Sequence, residues 1–122
     1  MKLSLAMIVK NAAETLRPCL MSVIEAVDEV SIVDTGSTDD TMDAIASIVP
    51  HDKLNLTVWD DPNKEPTRGW ISNFAYARNL CFRGCTGDAI IWLDADDVLE
   101  HKNQSVDPAS ALRSLVTEFF ER

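Results

Sequence analysis

Basic residues are scarce in this chain. Eleven lysines and arginines stand against 20 acidic residues, a formal net charge of −9 over 122 residues. With no basic patch to neutralise phosphates, nucleic acid and anionic membrane are not expected as partners. A polyphosphate stays within reach if a divalent cation mediates. Long apolar runs are missing too: none approaches the roughly 18 residues of a membrane-spanning helix. The start, Met1-Lys2-Leu3-Ser4, runs into an apolar segment without a signal-peptide cleavage pattern. The three cysteines, Cys19, Cys81 and Cys85, include no CxxC pair, and the two histidines stand far apart. A zinc site is therefore not expected; reduced thiols and a cytoplasmic setting are. No GxGxxG follows the first apolar segment and no GK[ST] occurs, so the dinucleotide and Walker phosphate fingerprints are both missing. No Ser-His-Asp or Cys-His arrangement suggests itself, and internal repeats and low-complexity tracts are absent.

The most informative stretch is Ala89-Ile90-Ile91-Trp92-Leu93-Asp94-Ala95-Asp96-Asp97. An apolar run of strand length, with Gly87-Asp88 as the turn before it, stops in three carboxylates. In an open α/β sheet, ligands bind at the carboxyl ends of strands. Hard oxygen ligands on a short loop there suit Mg²⁺ or Mn²⁺, whose shells are completed by water and phosphate oxygens. A lone Asp-x-Asp is commonly just a solvated turn, so the rest of the chain has to decide.

Leu3 to Val9 fits a buried first strand that ends in Lys10-Asn11. Leu16, Leu20, Val23, Ile24 and Val27 recur at helical spacing. Thr15 is the expected N-cap of that helix, with Pro18 in its first turn. Val30 to Val33 is a second strand, leading into Asp34-Thr35-Gly36-Ser37-Thr38-Asp39-Asp40-Thr41. Gly36 supplies the turn, and Ser37 or Thr38 is the expected cap of a helix carrying Met42, Ile45, Ile48 and Val49. Asp34 thus stands at a strand's carboxyl end, either as a ligand or as a turn residue bonding its own backbone. Leu54 to Trp59 makes a third strand. A long polar stretch, Asp60 to Asn73, reads as functional or disordered; Trp70 within it either stacks on a ligand or docks onto the body of the domain. Phe74, Ala77, Leu80, Cys81 and Phe82 give a further helix bearing Arg78, whose guanidinium fork suits a diphosphate or a base edge. Last, Asp107-Pro108 reads as an N-cap with proline at the first helical position. The stripe Leu112, Leu115, Val116, Phe119 and Phe120 behind it is expected to be core.

Strand and helix alternate, which implies a mostly parallel sheet with helices on both faces. The segments Met7–Asn11, Val33–Thr41, Ala77-Arg78-Asn79 and Trp92–Asp97 also follow the order and spacing of family 2 glycosyltransferases. Over roughly residues 3 to 100 the chain resembles their N-terminal, nucleotide-sugar-binding half, in the GT-A (Rossmann-like) fold. The resemblance implies residues 1–100 as a donor-binding half and 101–122 as a linker and C-terminal amphipathic helix, truncated after the DXD motif. It assigns Asp34 to the nucleotide base, usually uracil, and the backbone of Val9 and Lys10 to the same subsite. Arg78 falls near base and phosphates, Asp94 at the ribose and metal, and Asp96 on the metal, Mn²⁺ or Mg²⁺, that holds the diphosphate of a UDP-sugar.

The resemblance leaves the acceptor and the catalytic base unassigned. Inverting members place that base well beyond the DXD motif. Here Asp107 reads as a cap, and Glu118 and Glu121 sit on a helix. A non-catalytic nucleotide-binding or interaction module is the alternative, with self-association through the C-terminal helix if its stripe is exposed. A phosphohydrolase of the haloacid dehalogenase type is a further rival, because Asp94-Ala95-Asp96-Asp97-Val98 also fits its DxDx[TV] motif. That motif belongs near the start of its domain, and here it lies near the end.

Overall fold

Four short runs of alternating or continuous apolar residues become strands: β1 (Leu3–Val9), β2 (Glu29–Asp34), β3 (Leu54–Val58) and β4 (Ala89–Trp92). In the computed structural model, which describes residues 1–121, they form one parallel sheet in the order β3-β2-β1-β4. The chain steps outward from β1 to β2 to β3, then returns to place β4 on the other side of β1. The point where the order reverses lies between β1 and β4, and such a switch point opens a crevice at the carboxyl ends of the strands.

Side-chain alternation sorts the sheet into two faces. Leu3, Leu5, Met7, Val9, Val30 and Ile32 are buried on one face, with Ala89 and Ile91 packed against them. Helices α1 (Ala13–Val23), α2 (Thr41–Ile48) and α4 (Pro108–Glu121) supply the other side of this core. Ala6 and Val33, with Ile8 and Trp92, face the opposite way, onto Cys81 and Leu80 of α3 (Phe74–Arg83). Helices therefore cover both faces. Leu20, fully buried in the larger core, illustrates what holds it together: truncation to alanine at such a site removes about 2–5 kcal/mol.

Two expected helix starts are corrected. Helix α1 begins at Ala13, not after Thr15, and its N-cap, Ala12, has no capping side chain of its own. The cap comes from the loop after β2 instead. Thr41 Oγ1 accepts from Ala12 N at 2.9 Å and an Asp39 carboxylate oxygen from Ala13 N at 3.3 Å. Pro18 consequently lies inside the helix. It is exposed, as is Glu14 one turn earlier, so the carbonyl that loses its donor faces water. Helix α2 is capped at Asp40, with Asp39 accepting from Thr41 N at 3.0 Å and from the Thr41 hydroxyl. Ser37 and Thr38 bond to Asn11 instead.

Asp107 does cap α4, accepting from Ser110 N at 3.2 Å and from its hydroxyl at 2.7 Å. Arg113 fastens the helix down: it donates to Asp28 at 2.5 Å and to the carbonyls of Ala26 and Met1 at 3.3 and 3.0 Å. The apolar stripe of α4 is not all core. Leu112 and Val116 pack against the larger core, but Leu115, Phe119 and Phe120 are 62%, 68% and 47% exposed. The helix rests on α1 and on a 3-10 turn, Ile24–Ala26, so only one side of a wide stripe is covered. An open groove of about 600 Å³ runs between these exposed residues and the start of β4. Among the described residues no helix is long and apolar enough to cross a membrane.

Candidate functional site

The carboxyl ends of β2, β1 and β4 lie side by side, and each leads into polar residues. Val9 and Asp34 are direct neighbours across β1 and β2. The Val9 carbonyl accepts from both the amide and the hydroxyl of Thr35, at 3.0 and 3.4 Å, which occupies its two lone pairs. Asp34 is 2% exposed. One of its oxygens accepts from Gly36 N and Ser37 N, both at 2.8 Å, a side-chain turn that Gly36 makes possible at φ +114°. The other oxygen is buried with no hydrogen-bond partner. The turn reading of Asp34 therefore accounts for one oxygen, and the other is left without a partner. A buried acceptor without a donor is unusual enough to require an explanation.

Asn11, at φ +48°, is an organiser that no sequence pattern marks. Its side-chain oxygen accepts from Thr38 N at 2.7 Å and from Asp39 N at 3.3 Å, fixing the loop after β2 against the end of β1. Lys10 reaches the long loop 60–73, donating to the Gly69 and Arg68 carbonyls at 2.6 and 3.3 Å. The base of that loop is held by Asp61, which is 2% exposed. Asp61 accepts from Asn63 N, Ser72 N and the Ser72 hydroxyl at 2.8, 2.6 and 2.9 Å. Burial pushes its carboxyl up, but these bonds outweigh it and hold it below the usual range. Trp70 does not dock onto the body: it is 59% exposed, with the Arg68 guanidinium over its ring at 4.6 Å.

At the end of β4, Asp94, Asp96 and Asp97 bring one carboxylate oxygen each to within 4.8 Å of one another. Asp97 joins the two acidic residues expected from the sequence because the loop turns back on itself. Asp94 N donates to Asp97 at 2.9 Å, and Asp97 N to the Asp94 carbonyl at 3.0 Å. Helix α1 holds this loop from beneath. The Cys19 thiol donates to the Asp94 carbonyl at 3.6 Å, and Ser22 Oγ accepts from Leu99 N at 3.0 Å. Burial, then the charges of Asp97, Asp96 and Asp94, push the Cys19 thiol up to about 11. Among the described residues, Asp96 has no hydrogen-bond or ion-pair partner. Three exposed, converging carboxylates, one of them unengaged, fit a hard divalent cation that keeps part of its water shell.

Arg78 stands on α3, whose start Asn73 caps by accepting from Tyr76 N at 3.0 Å. Its guanidinium lies over the rings of Phe74 and Trp92, 5.2 and 5.8 Å from their centroids. No ion pair or hydrogen bond engages it among the described residues. Asp34 and the acidic loop end strands that flank β1, two strand spacings or roughly 10 Å apart.

A TPR repeat-containing protein of Synechococcus elongatus is 40% identical over 98 residues, 80% of this chain and 21% of that protein. The SPbeta prophage-derived glycosyltransferase SunS of Bacillus subtilis is 30% identical over 113 residues, 93% of this chain and 24% of its own length. The chain therefore spans about a fifth to a third of the length of the curated relatives it matches. Among solved structures, S. aureus TarS (residues 1–349) superposes with a TM-score of 0.68 at 19% identity, over 99% of this chain and 33% of that one. It has also been solved with UDP (TM-score 0.65). Glucosyl-3-phosphoglycerate synthase of M. tuberculosis, in complex with Mn²⁺, UDP and glucosyl-3-phosphoglycerate, gives 0.57 at 17% identity over 77% of this chain and 33% of its own. These likenesses establish a GT-A fold. The model of glycosyl transferase family 2 matches residues 4–104, a span that runs from the second residue of β1 through the acidic loop, and the chain belongs to that family.

Proposed function

We propose that this chain forms the donor-binding part of a glycosyltransferase and takes a nucleoside diphosphate sugar, UDP-linked, with Mn²⁺ or Mg²⁺. The observation that carries this reading is the unpartnered, buried oxygen of Asp34 at the carboxyl end of β2. A ring N–H of a pyrimidine or purine base supplies the missing donor. The strands that lead to Asp34 and to the acidic loop flank β1, two strand spacings or roughly 10 Å apart, the scale of a nucleoside between its base edge and its diphosphate. In this reading Asp34 takes the base, and Val9 and Lys10 line that subsite, Val9 by holding Thr35 in place. Arg78 meets the diphosphate, Asp94 the ribose and cation, and Asp96 the cation, with Asp97 completing the acidic cluster. When bound, the cation neutralises charge growing on the departing nucleoside diphosphate. The UDP bound to TarS, and the UDP and metal bound to the mycobacterial synthase, support the same chemistry. The family match sets the phosphohydrolase rival aside.

Binding without transfer is the second reading, favoured by the fate of Asp107, which is committed to the cap of α4 rather than free to act as a base. The exposed face of α4 fits self-association of the chain. Calorimetric titration of UDP, GDP and ADP, with Mn²⁺ and with chelator, tests the main proposal. Metal-dependent binding that favours UDP is expected; no binding of any nucleotide would overturn it. Release of sugar from a UDP-sugar separates an active site from a binding module.

A further inference from the structure

Trp92 touches both of the oppositely charged groups that the proposed donor site uses. The Arg78 guanidinium lies over its ring, 5.8 Å from the centroid. Its indole N–H donates to an Asp94 carboxylate oxygen at 3.3 Å. The ring is itself fixed edge-on by Phe82 and Phe74, with centroids 5.9 and 6.4 Å away. It is also partly buried against the smaller core. Arg78 and Asp94 form no ion pair with each other among the described residues, where ion pairs join Lys2 to Glu29, Lys64 to Asp60 and Arg113 to Asp28. That separation calls for a cause, because a guanidinium and a carboxylate within reach of one side chain ordinarily close into a forked pair.

We infer that Trp92 is a positioning residue, a spacer that keeps Arg78 and Asp94 apart so that each stays free for its own ligand. The π face satisfies the guanidinium, and the ring edge satisfies the carboxylate with a neutral donor. Asp94 then keeps its full negative charge for a cation, and Arg78 keeps its positive charge for a diphosphate. Only an indole among the side chains offers both a large face for a cation and an edge N–H donor. Phenylalanine keeps the face and loses the donor; leucine loses both. Removing the spacer lets Arg78 fall onto Asp94 and compete with the metal. This inference rests on the donor-site reading for its consequence but not for its geometry.

The test titrates Mn²⁺ and Mn²⁺–UDP into the wild-type chain, Trp92→Phe, Trp92→Leu and the double variant Trp92→Leu/Arg78→Met. Trp92→Phe is expected to weaken Mn²⁺–UDP roughly fivefold and Trp92→Leu roughly thirtyfold. In the double variant, affinity for Mn²⁺ alone returns to within about twofold of wild type while UDP stays weak. A merely structural tryptophan would not show that recovery. Equal Mn²⁺ affinity in Trp92→Leu and the double variant would overturn the spacer role. The conservative Trp92→Phe guards against loss of fold, and ¹⁵N spectra of the free protein supply an independent signature. The indole resonance missing in Trp92→Phe should move when Asp94→Asn is introduced, and an unmoved resonance would overturn the contact. If the wild-type chain binds no Mn²⁺–UDP, the donor-site reading fails, while the indole resonance still decides whether Trp92 holds Asp94.

Discussion

Replacing Asp34 by asparagine should push stability and binding in opposite directions. The side chain keeps its shape, and its remaining oxygen can still accept from Gly36 N and Ser37 N, so the turn after β2 survives. What changes is the second, buried oxygen, which has no donor. An unsatisfied charged group costs more than an unsatisfied neutral one, so the amide should stabilise the free protein by about 1 kcal/mol. For a domain of this size that is a rise of about 4 °C in Tm. In the complex the sign reverses. A hydrogen bond from a base N–H to a carboxylate contributes about 1.5–3 kcal/mol, and the amide NH₂ meets that donor with another donor. UDP affinity should therefore fall about 10- to 100-fold, while metal binding is untouched. Scanning calorimetry and titration of UDP on the same preparation read both signs. A variant that melts lower and binds UDP as before would refute the argument, because Asp34 would then be a turn residue and nothing more.

Asp96→Ala should leave the stability within about 0.5 kcal/mol of wild type, as for an unengaged surface side chain; it should also abolish the dependence of UDP binding on Mn²⁺, and unchanged affinity would remove Asp96 from the site. Acid should unfold the chain partly through Glu29. Burial raises that carboxyl, but bonds from Ser4, from the amide and hydroxyl of Thr86 and from Lys2 outweigh it and hold it at about 2, against the usual 4.5. A depressed folded value means stability that is full above pH 4.5 and lost as pH falls toward 2, at most about 3 kcal/mol. Glu29→Gln should flatten this segment of the stability–pH curve in urea titrations, and an unchanged slope would point to other carboxylates. Leu115→Glu with Phe119→Glu should leave the thermal midpoint nearly unchanged and shift sedimentation toward monomer at high concentration. Identical sedimentation would show that the exposed face of α4 is not used.

The sheet, and the polar residues gathered at its carboxyl edge, could be read from the residues; the way the loops are tied could not. Leu3–Val9, apolar but for Ser4, and Ala89–Trp92, apolar throughout, announce parallel strands, of which the first is buried and the second only partly, and an acidic run straight after the second stands at a strand's carboxyl end. Helix starts were misplaced because their caps are not local. Asp39 and Thr41, more than 25 residues away in sequence, hold the start of α1, and no window around Thr15 contains that information. The stripe on α4 was read as core because periodicity reports an apolar face without saying whether anything covers it. Trp92 reads as one more residue of an apolar strand: its bond to Asp94 is local, but its contact with Arg78 exists only because α3 packs beside it. Asp61 stood unremarked in a polar stretch, although it is the buried anchor of that loop.

The shared cap between the first two helices also shapes how the chain folds. Asp39 serves the start of α1 and the start of α2 together, and Asn11 ties both to the end of β1. The start of α1 loses its caps while the loop before α2 is loose, so the two helix starts are coupled through a loop that the pairing of β1 with β2 sets in place. In native-state hydrogen exchange, the amides of Ala12, Ala13 and Thr41 should then exchange together, at the free energy that opens β1 from β2, instead of fraying one helix end at a time.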